Sequence, residues 1–334
     1  MGGEPRPAGY RAPAPEPDCF VEWRESFGTR FTVFVDTEEE FDWRLPLSRE
    51  SRSVRAVRAI PQAHARFGEG GVALTYLVDH PVATSPEAVE ILRRAIENGR
   101  SAIGTQLHPW VNPPFDEEVN GPNSFVANLP KSLQAAKLAV LTKAIEQAFG
   151  ARPLVYRAGR YGIGPDTFEL LAAEGYRLDT SMRSAYDYSD EAGPDFAGVP
   201  NRAFRRGGLI ELPFTTIFTG RARGGGIGLY RALGRLPKGR GIAARLGLLS
   251  RVSLTPEDMP LPDALEAVRV AVGEGLRVLN FAFHSPSLEP GHTPYVRDSA
   301  DLAAFWYWWD EVLALLARLG VRNASLAEVL AAGE

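Results

Sequence analysis

The feature that most constrains the fold of this chain is a regular alternation of short apolar stretches with longer stretches that have helical spacing. β-Branched and aromatic residues predict strands at 31–36, 72–78, 102–107, 154–156, 209–213 and 277–283. Helical patterns lie between and after them, at 54–67, 86–98, 129–150, 165–175, 262–275, 300–319 and 326–330. Repeated βα units predict a parallel sheet, and about seven short strands favour a (β/α) barrel over an open sheet.

Length and composition are those of an ordinary globular protein. The chain has 334 residues, 45% of them hydrophobic, which is enough for one large core. A formal charge of −4 gives no reason to expect nucleic acid as a partner. Residues 1–25 are rich in proline and charge and predict a mobile N-terminal arm, with a single barrel domain over 26–334. One cysteine, no apolar leader and no long apolar run predict a cytoplasmic protein.

One segment departs from the alternating pattern. Residues 201–255 hold eleven arginines and lysines before position 252, together with a run of three glycines at 224–226. We expect a basic insertion, made of a glycine-rich loop and one or two basic amphipathic helices. It is either a solvated surface that offsets the acidic remainder, or a contact for an anionic membrane or a phosphate-bearing substrate.

Polar residues that follow the predicted strands are candidates for a site, because functional residues of (β/α) barrels lie at the C-terminal strand ends. They are Asp36, Glu38, Asp79, His80, Gln106, His108, Arg157 and His284.

The first of these strand ends carries five acids within seven residues. Asp36 and Glu38 share one side of an extended chain, because side chains alternate with period two. Two carboxylates that close together need a cation or an arginine between them, so one can bind a metal while the other acts as a general base. Glu39, Glu40 and Asp42 are expected to be solvated or capping residues.

The other strand ends supply complementary groups. Gln106 and His108 share a face, and an imidazole near carboxylates is a common ligand set for a divalent ion. Arg157 can pair with the free aspartate, and His284 can act as a general acid. A buried hydrogen-bonded histidine or a structural salt bridge are the alternatives at these positions.

The order of these stretches resembles the NodB-homology polysaccharide deacetylases (carbohydrate esterase family 4) over roughly residues 30 to 320. Residues 35–38, Val-Asp-Thr-Glu, are similar to the family's Phe-Asp-Asp-Gly motif. Residues 103–109 keep the glycine and one His-Pro of the second motif, with Gln106 where the family has another histidine. Residues 157–162 resemble Arg-x-Pro-Tyr-Gly with one extra residue, and 283–286 resemble the final histidine motif.

The resemblance implies a distorted (β/α) barrel of seven strands and hydrolysis of an N- or O-linked acetyl group on a polysaccharide or sugar precursor. It implies a divalent metal, Zn²⁺ first, with Co²⁺ or Ni²⁺ as alternatives. The catalytic residues would be Asp36 as base, Arg157 as its partner and His284 as acid. The metal ligands would be Glu38, His108 and Asp79, with Gln106 and His80 as further candidates.

Two other expectations accompany that resemblance. Trp43, Trp110, Tyr161 and Tyr295 offer flat faces to a carbohydrate substrate. The competing functions are a deformylase or amidase of a small or lipid-linked C–N substrate, and a glycan-binding barrel without a metal. The altered histidine motif is the reason for the second of these, and the oligomeric state is not predicted.

Overall fold

The computed structural model describes residues 9–42 and 45–334. The strands in this part of the chain are β1 (Arg30–Thr37), β2 (Thr75–Val78), β3 (Ala102–Leu107), β4 (Val155–Ala158), β5 (Leu178–Asp179), β6 (Phe204–Arg206), β7 (Leu209–Glu211), β8 (Thr216–Thr219), β9 (Ser250–Ser253), β10 (Val278–His284) and β11 (Arg322–Asn323). The α-helices are α1 (Ile60–Glu69), α2 (His80–Thr84), α3 (Pro86–Ile96), α4 (Lys131–Phe149), α5 (Thr167–Ala173), α6 (Gly226–Gly234), α7 (Gly239–Arg245), α8 (Leu261–Gly273), α9 (Ser299–Arg318) and α10 (Leu326–Ala332).

The main sheet has the strand order β10-β1-β2-β3-β4-β5-β7-β6, with β11 beside β1. The neighbours from β10 to β7 are all parallel, and only β6 runs antiparallel, on the outer side of β7. Seven parallel strands therefore curl into a distorted (β/α) barrel. The predicted fold class is confirmed.

The two ends of the parallel sheet are joined mainly by a side chain and not by a strand pair. Asn280 of β10 donates from Nδ2 to the carbonyl oxygens of Leu212 (3.1 Å) and Pro213 (3.2 Å) and to Thr180 Oγ1 (2.9 Å). Its backbone amide also donates to Thr215 Oγ1 at 2.9 Å. This seam satisfies backbone groups that a regular strand pair would otherwise satisfy.

The core lies on both faces of the sheet. All residues of β1 after Arg30 are buried, as expected for a parallel strand with side chains inside the barrel on one face and helices on the other. On the helix side, Trp309 of α9 packs against Phe67 (ring centroids 5.0 Å apart) and Phe283 (5.7 Å). This aromatic cluster fixes α9 against β10, the strand that carries His284.

Most predicted elements are confirmed within a few residues, including Ser85 as the N-cap of α3, where its hydroxyl accepts from the amide of Ala88. No sequence pattern marks β5, because two residues are too short to show a period. The predicted helix at 54–67 begins with a 3-10 turn over Arg55–Ala59, before α1.

The division into a mobile arm over 1–25 and one barrel domain stays a prediction. In the described residues 9–25, Ala12 and Val21 are buried, and their amides donate to the carbonyls of Asp195 and Ala203. Within the predicted insertion, β6 and β7 belong to the main sheet, whereas β8 and β9 form a separate two-stranded ribbon. No helix in residues 9–42 and 45–334 combines the length and apolar content needed to cross a membrane.

Candidate active site

The three residues predicted to be catalytic meet at the C-terminal end of β1. Asp36 pairs in register with His284 on the neighbouring strand. Its Oδ1 accepts a hydrogen bond from Arg157 Nη1 at 2.6 Å, and its Oδ2 lies 3.8 Å from His284 Nε2. Asp36 and Arg157 are buried, so water screens this ion pair little. The arrangement puts one carboxylate between a permanent cation and an imidazole.

Arg157 is held in place by groups other than Asp36. Its Nε donates to the carbonyl of Thr180 at 3.1 Å, and its guanidinium lies over the rings of Phe34 and Phe214, at 5.4 and 5.9 Å from their centroids. A planar guanidinium fixed on several sides restricts the orientation of the carboxylate that it contacts. The strand therefore presents Asp36 in one defined geometry.

Glu39 is not at the surface, and the expectation that it is a solvated or capping residue is wrong. It is 0% exposed, and its carboxylate accepts hydrogen bonds from His108 Nδ1 and Trp110 Nε1, both at 2.8 Å. A strand of the barrel is covered by protein on both faces. Successive side chains along 36–39 therefore alternate between the cavity and the helix layer, and neither side faces water. The neighbouring Glu40 is half-buried and Asp42 is exposed.

Asp79 contacts the backbone of Glu39. Its Oδ2 accepts from the backbone amide of Glu39 at 2.7 Å, and its Oδ1 caps α2 by accepting from the amide of Val82 at 2.8 Å. Burial raises the pKa of Glu39 to about 8 and raises the pKa of Asp79 well above its ordinary value. Two adjacent buried carboxyl groups of this kind hold a proton or a cation between them.

Two sets of side chains around His108 have the donors of a metal site. The inner set is Glu39, Asp79 and His108, whose ligand atoms all lie within 4.8 Å of one another. The cavity set is Glu38, whose Oε2 is 3.5 Å from His108 Nε2, with Gln106, whose buried Oε1 has no hydrogen-bond partner among the described residues. Burial raises the pKa of Glu38 to about 7 against the lowering effect of His284 and His108.

These donors fit a divalent ion. Carboxylate oxygens, imidazole nitrogens and amide oxygens are ligands for Zn²⁺ and similar divalent ions. The buried Gln106 oxygen has no hydrogen-bond partner among the described residues, as expected of a group that coordinates an ion. His108 also has the usual support of a ligating histidine, because its Nδ1 is bonded to a carboxylate and its Nε2 faces the cavity side. His80 begins α2 and belongs to neither set.

The ring of His108 is packed between neighbours that fix its plane. It stacks on Trp110 with centroids 4.5 Å apart, and a Cβ built on Gly159 would lie 2.3 Å from His108 Cδ2. Only glycine at 159 lets the end of β4 approach this closely. Trp110, predicted to offer a face to a sugar, is buried and uses its indole N–H on Glu39, although it lines the cavity.

The site opens into two adjoining cavities of about 190 and 230 Å³. Both are lined by Asp36, Tyr161, Arg183, His284 and Tyr295, and the smaller one also by Glu38, Gln106 and His108. Tyr161 reaches this position from a turn in which Arg160 and Tyr161 have φ values of 54° and 60°. Such left-handed residues are costly and are often found at functional sites. Trp43 lies outside the described residues.

Glu257 is a site residue that the sequence did not indicate. Its carboxylate accepts hydrogen bonds from His284 Nδ1 at 2.7 Å, from the His284 amide at 3.0 Å and from Ser287 Oγ at 2.6 Å. Burial lowers the pKa of His284, but the carboxylates of Glu257, Glu38 and Asp36 outweigh it and raise the pKa to about 10. The one available signal was that Glu257 is the first acid after Glu211.

Arg183 and Tyr186 were missed as well, because they lie in an irregular segment after β5. The Arg183 guanidinium lies 3.7 Å from the ring centroid of Tyr186 and donates to Ser253 Oγ at 2.8 Å. Together they form the wall of the larger cavity that faces the β8–β9 ribbon. This wall has no motif that a single sequence would reveal.

Comparison with known proteins supports the architecture. No protein-family model matches the chain, and no curated protein matches it. Among solved structures, a protein from Mycobacterium smegmatis assigned as a polysaccharide deacetylase is 18% identical, with a TM-score of 0.53 over 95% of this chain and 93% of its own. A protein from Parabacteroides distasonis assigned as a glycoside hydrolase or deacetylase is 14% identical, with a TM-score of 0.57 over 94% and 72%.

An allantoinase is also similar, at 13% identity and a TM-score of 0.50 over 91% of this chain and 88% of its own. Identities this low support a shared arrangement of the backbone but do not show a shared reaction. The strand order, the strand-end site and these likenesses agree on one architecture: the chain has the NodB-type fold of the polysaccharide deacetylases.

Proposed function

We propose that this chain is a divalent metal-dependent hydrolase that removes an acetyl group from an amino sugar of a carbohydrate substrate. One observation carries the proposal. Asp36, buried between Arg157 and His284, lines the same cavity as Glu38, His108 and the unpartnered Gln106 oxygen. A base, an acid and a set of metal donors within one cavity are the parts that hydrolysis of an unactivated amide needs.

We assign the ion to the cavity set, Glu38, His108 Nε2 and Gln106. A catalytic ion needs an open position that the substrate can reach, and these three residues line the cavity whereas Asp79 does not. Glu39 then holds His108 through Nδ1, and Asp79 holds the backbone of Glu39. The bound ion would supply Lewis acidity toward the acetyl carbonyl and the attacking water.

The protein residues would handle the protons. Asp36 accepts a proton from the water that attacks the acetyl carbon, while Arg157 balances the charge of its carboxylate. His284, held through Nδ1 by Glu257, donates the proton on Nε2 to the departing nitrogen as the C–N bond breaks. Acetate and a free amine leave. Tyr161 and Tyr295 line both cavities and offer faces to the sugar ring.

Removal and replacement of the metal tests this function. We expect chelation to lower acetate release from a panel of N-acetylglucosamine oligomers and O-acetylated sugars by about a hundredfold or more, since a Lewis-acidic ion contributes several kcal/mol. Zn²⁺, Co²⁺ or Ni²⁺ should restore the rate, with the bound metal measured by mass spectrometry in the same samples. Full turnover in protein that contains no metal would reject the proposal, as would the absence of acetate release with every metal and substrate.

Glu257→Gln should weaken the acid without removing the imidazole. The change takes away the carboxylate that holds His284 in its protonated form, so its pKa should fall and the alkaline limb of the kcat profile should move to lower pH. We expect kcat at neutral pH to fall about tenfold to a hundredfold. Ser287→Ala is the matched control, because it removes a hydrogen bond from the same carboxylate but keeps the charge. An unchanged pH profile would exclude His284 as the acid.

A further inference from the structure

A helical hairpin projects from the barrel between β8 and β9. We define it as residues 220–249, which contain α6 and α7. The two helices meet at a glycine: a Cβ on Gly239 would lie 2.3 Å from the carbonyl oxygen of Leu233. Arg231 ties α6 to the barrel through Asp187 at 2.7 Å. The hairpin is therefore an ordered element and not an open loop.

Its outer part exposes large aliphatic side chains. Of the seven large hydrophobic residues that are exposed in the described chain, four lie within thirteen positions of the hairpin. They are Leu236 (59% exposed), Ile242 (52%), Leu246 (63%) and Leu248 (40%). Ile242 and Leu246 are four residues apart and share one side of α7 and its end. Aliphatic groups concentrated like this on the surface mark a contact with an apolar partner.

Positive charges are interleaved with these side chains. No aspartate or glutamate occurs between Glu211 and Glu257, although the whole chain has a charge of −4. Arg235, Lys238 and Arg245 are exposed and form no ion pair within residues 9–42 and 45–334. Exposed aliphatics between unpaired basic residues suit an anionic lipid surface. A nucleic acid site would instead combine basic residues with exposed aromatic rings.

The hairpin is attached directly to the active-site wall. β8 and β9 each have four residues, which span roughly 13 Å at the usual rise of an extended chain. At the barrel end of this ribbon lie Phe214 and Glu257, both of which line the larger cavity. Arg251 of β9 lies 3.4 Å from the ring centroid of Tyr186 on the cavity wall and 4.6 Å from that of Tyr230 in α6. A surface held by the hairpin would thus be close to the cavities.

We propose that the helical hairpin docks this protein on an anionic lipid bilayer, and that the sugar it acts on is carried by a lipid of that bilayer. The second half of this statement rests on the proposed function, and the first half does not. Leu236, Ile242 and Leu246 enter the headgroup–acyl boundary, while Arg235, Lys238 and Arg245 pair with lipid phosphates. The ribbon then holds the cavities at the height of a headgroup sugar.

Vesicle co-sedimentation of the full-length chain tests the docking. We expect binding to phosphatidylcholine vesicles that contain phosphatidylglycerol and little binding to phosphatidylcholine alone. Arg235→Gln, Lys238→Gln and Arg245→Gln together should weaken binding roughly a hundredfold, at about fivefold for each charge. Leu236→Ser, Ile242→Ser and Leu246→Ser together should weaken it tenfold or more. Because all six side chains are exposed, these variants should fold, and circular dichroism checks that they do.

Matched controls remove the same kinds of side chain from surfaces outside the hairpin. Arg55, Arg269 and Arg318 replaced by Gln, and Tyr307 and Leu319 replaced by Ser, alter exposed residues outside the hairpin and should leave binding unchanged. Equal vesicle binding by the hairpin variants and the wild type would overturn the proposal. So would a wild-type dimer that the serine variant converts to a monomer without any vesicle binding, since the aliphatic surface would then contact a second copy.

The lipid-borne substrate is tested separately. The hairpin variants should keep full activity on a water-soluble acetylated sugar and lose at least tenfold on the same sugar linked to a lipid in vesicles. Equal loss on both substrates would overturn this half of the proposal while leaving the proposed hydrolase intact. Absence of activity on both the soluble and the lipid-linked sugar in the wild type would reject the hydrolase, whereas vesicle binding would still test the docking.

Discussion

Asp36→Asn is expected to lower kcat about a thousandfold or more while the protein keeps its metal. The amide is nearly the same size as the carboxylate, but it cannot take a proton from water, and general base catalysis contributes up to about four orders of magnitude. Acetate release measures the rate, and metal analysis on the same protein measures the site. Glu50→Gln, an exposed acid further along the chain, is the control and should retain full activity.

The same substitution should cost some stability. Arg157 would lose its buried counterion, and breaking a buried pair costs about 3–5 kcal/mol in the unfavourable case. The Asn oxygen and the Thr180 carbonyl still accept from the guanidinium, so we expect a lower Tm and a folded protein. If Asp36→Asn protein loses its metal and Glu38→Gln protein retains it, the roles of the two acids are the reverse of those proposed.

His108→Ala is expected to remove the metal, because His108 is common to both possible donor sets. Glu38→Gln should lower metal affinity by at least an order of magnitude, whereas Glu39→Gln should lower it by about tenfold to a hundredfold through the orientation of the imidazole. Equilibrium titration of the metal-free protein with Zn²⁺ measures each constant. His80→Ala is the matched control and should bind as the wild type does, since His80 is outside both sets.

The opposite pattern of metal binding among these variants would place the ion in the inner set. If Glu39→Gln or Asp79→Asn abolishes metal binding and Glu38→Gln leaves it unchanged, the ion occupies the inner set of Glu39, Asp79 and His108. The ion would then be structural, because Glu39 and Asp79 are buried and line neither cavity. Retention of the metal by His108→Ala protein would exclude both sets at once.

The strand-end argument located the centre of the site from the sequence. Asp36, Arg157 and His284 are separated by more than a hundred residues from one to the next, yet the common direction of parallel strands brings them together. A barrel strand also hides its second face, which explains why Glu39 was misplaced. The hydrophobic period and the position of charged residues in the sequence identify strand ends well. They do not distinguish a strand face covered by helices from one exposed to water.

Glu257 and Arg183 could not be predicted for a different reason. Both belong to irregular chain after short elements, so no period marks which way their side chains point. Trp110 shows a related limit: its aromatic character suggested a sugar contact, but its N–H is used by Glu39, a partner that only the folded chain reveals. The basic insertion was recognised by composition, whereas its exposed aliphatic residues became apparent only with the helices in place.

The side-chain seam at Asn280 separates the strands that carry Asp36 and His284 from the segments that carry Phe214 and Arg183. Asp36, His284 and Arg157 lie on strands joined by continuous backbone pairing from β10 through β1 to β4, and this pairing sets their spacing. Phe214 and Arg183 follow β7 and β5 on the other side of the seam, where the side chain of Asn280 and one backbone hydrogen bond from the Thr215 amide to the Asn280 carbonyl take the place of a strand pair. We therefore expect substitutions at Tyr186, which lines the larger cavity on this side, to change which substrates enter it while the spacing of Asp36, His284 and Arg157 stays the same.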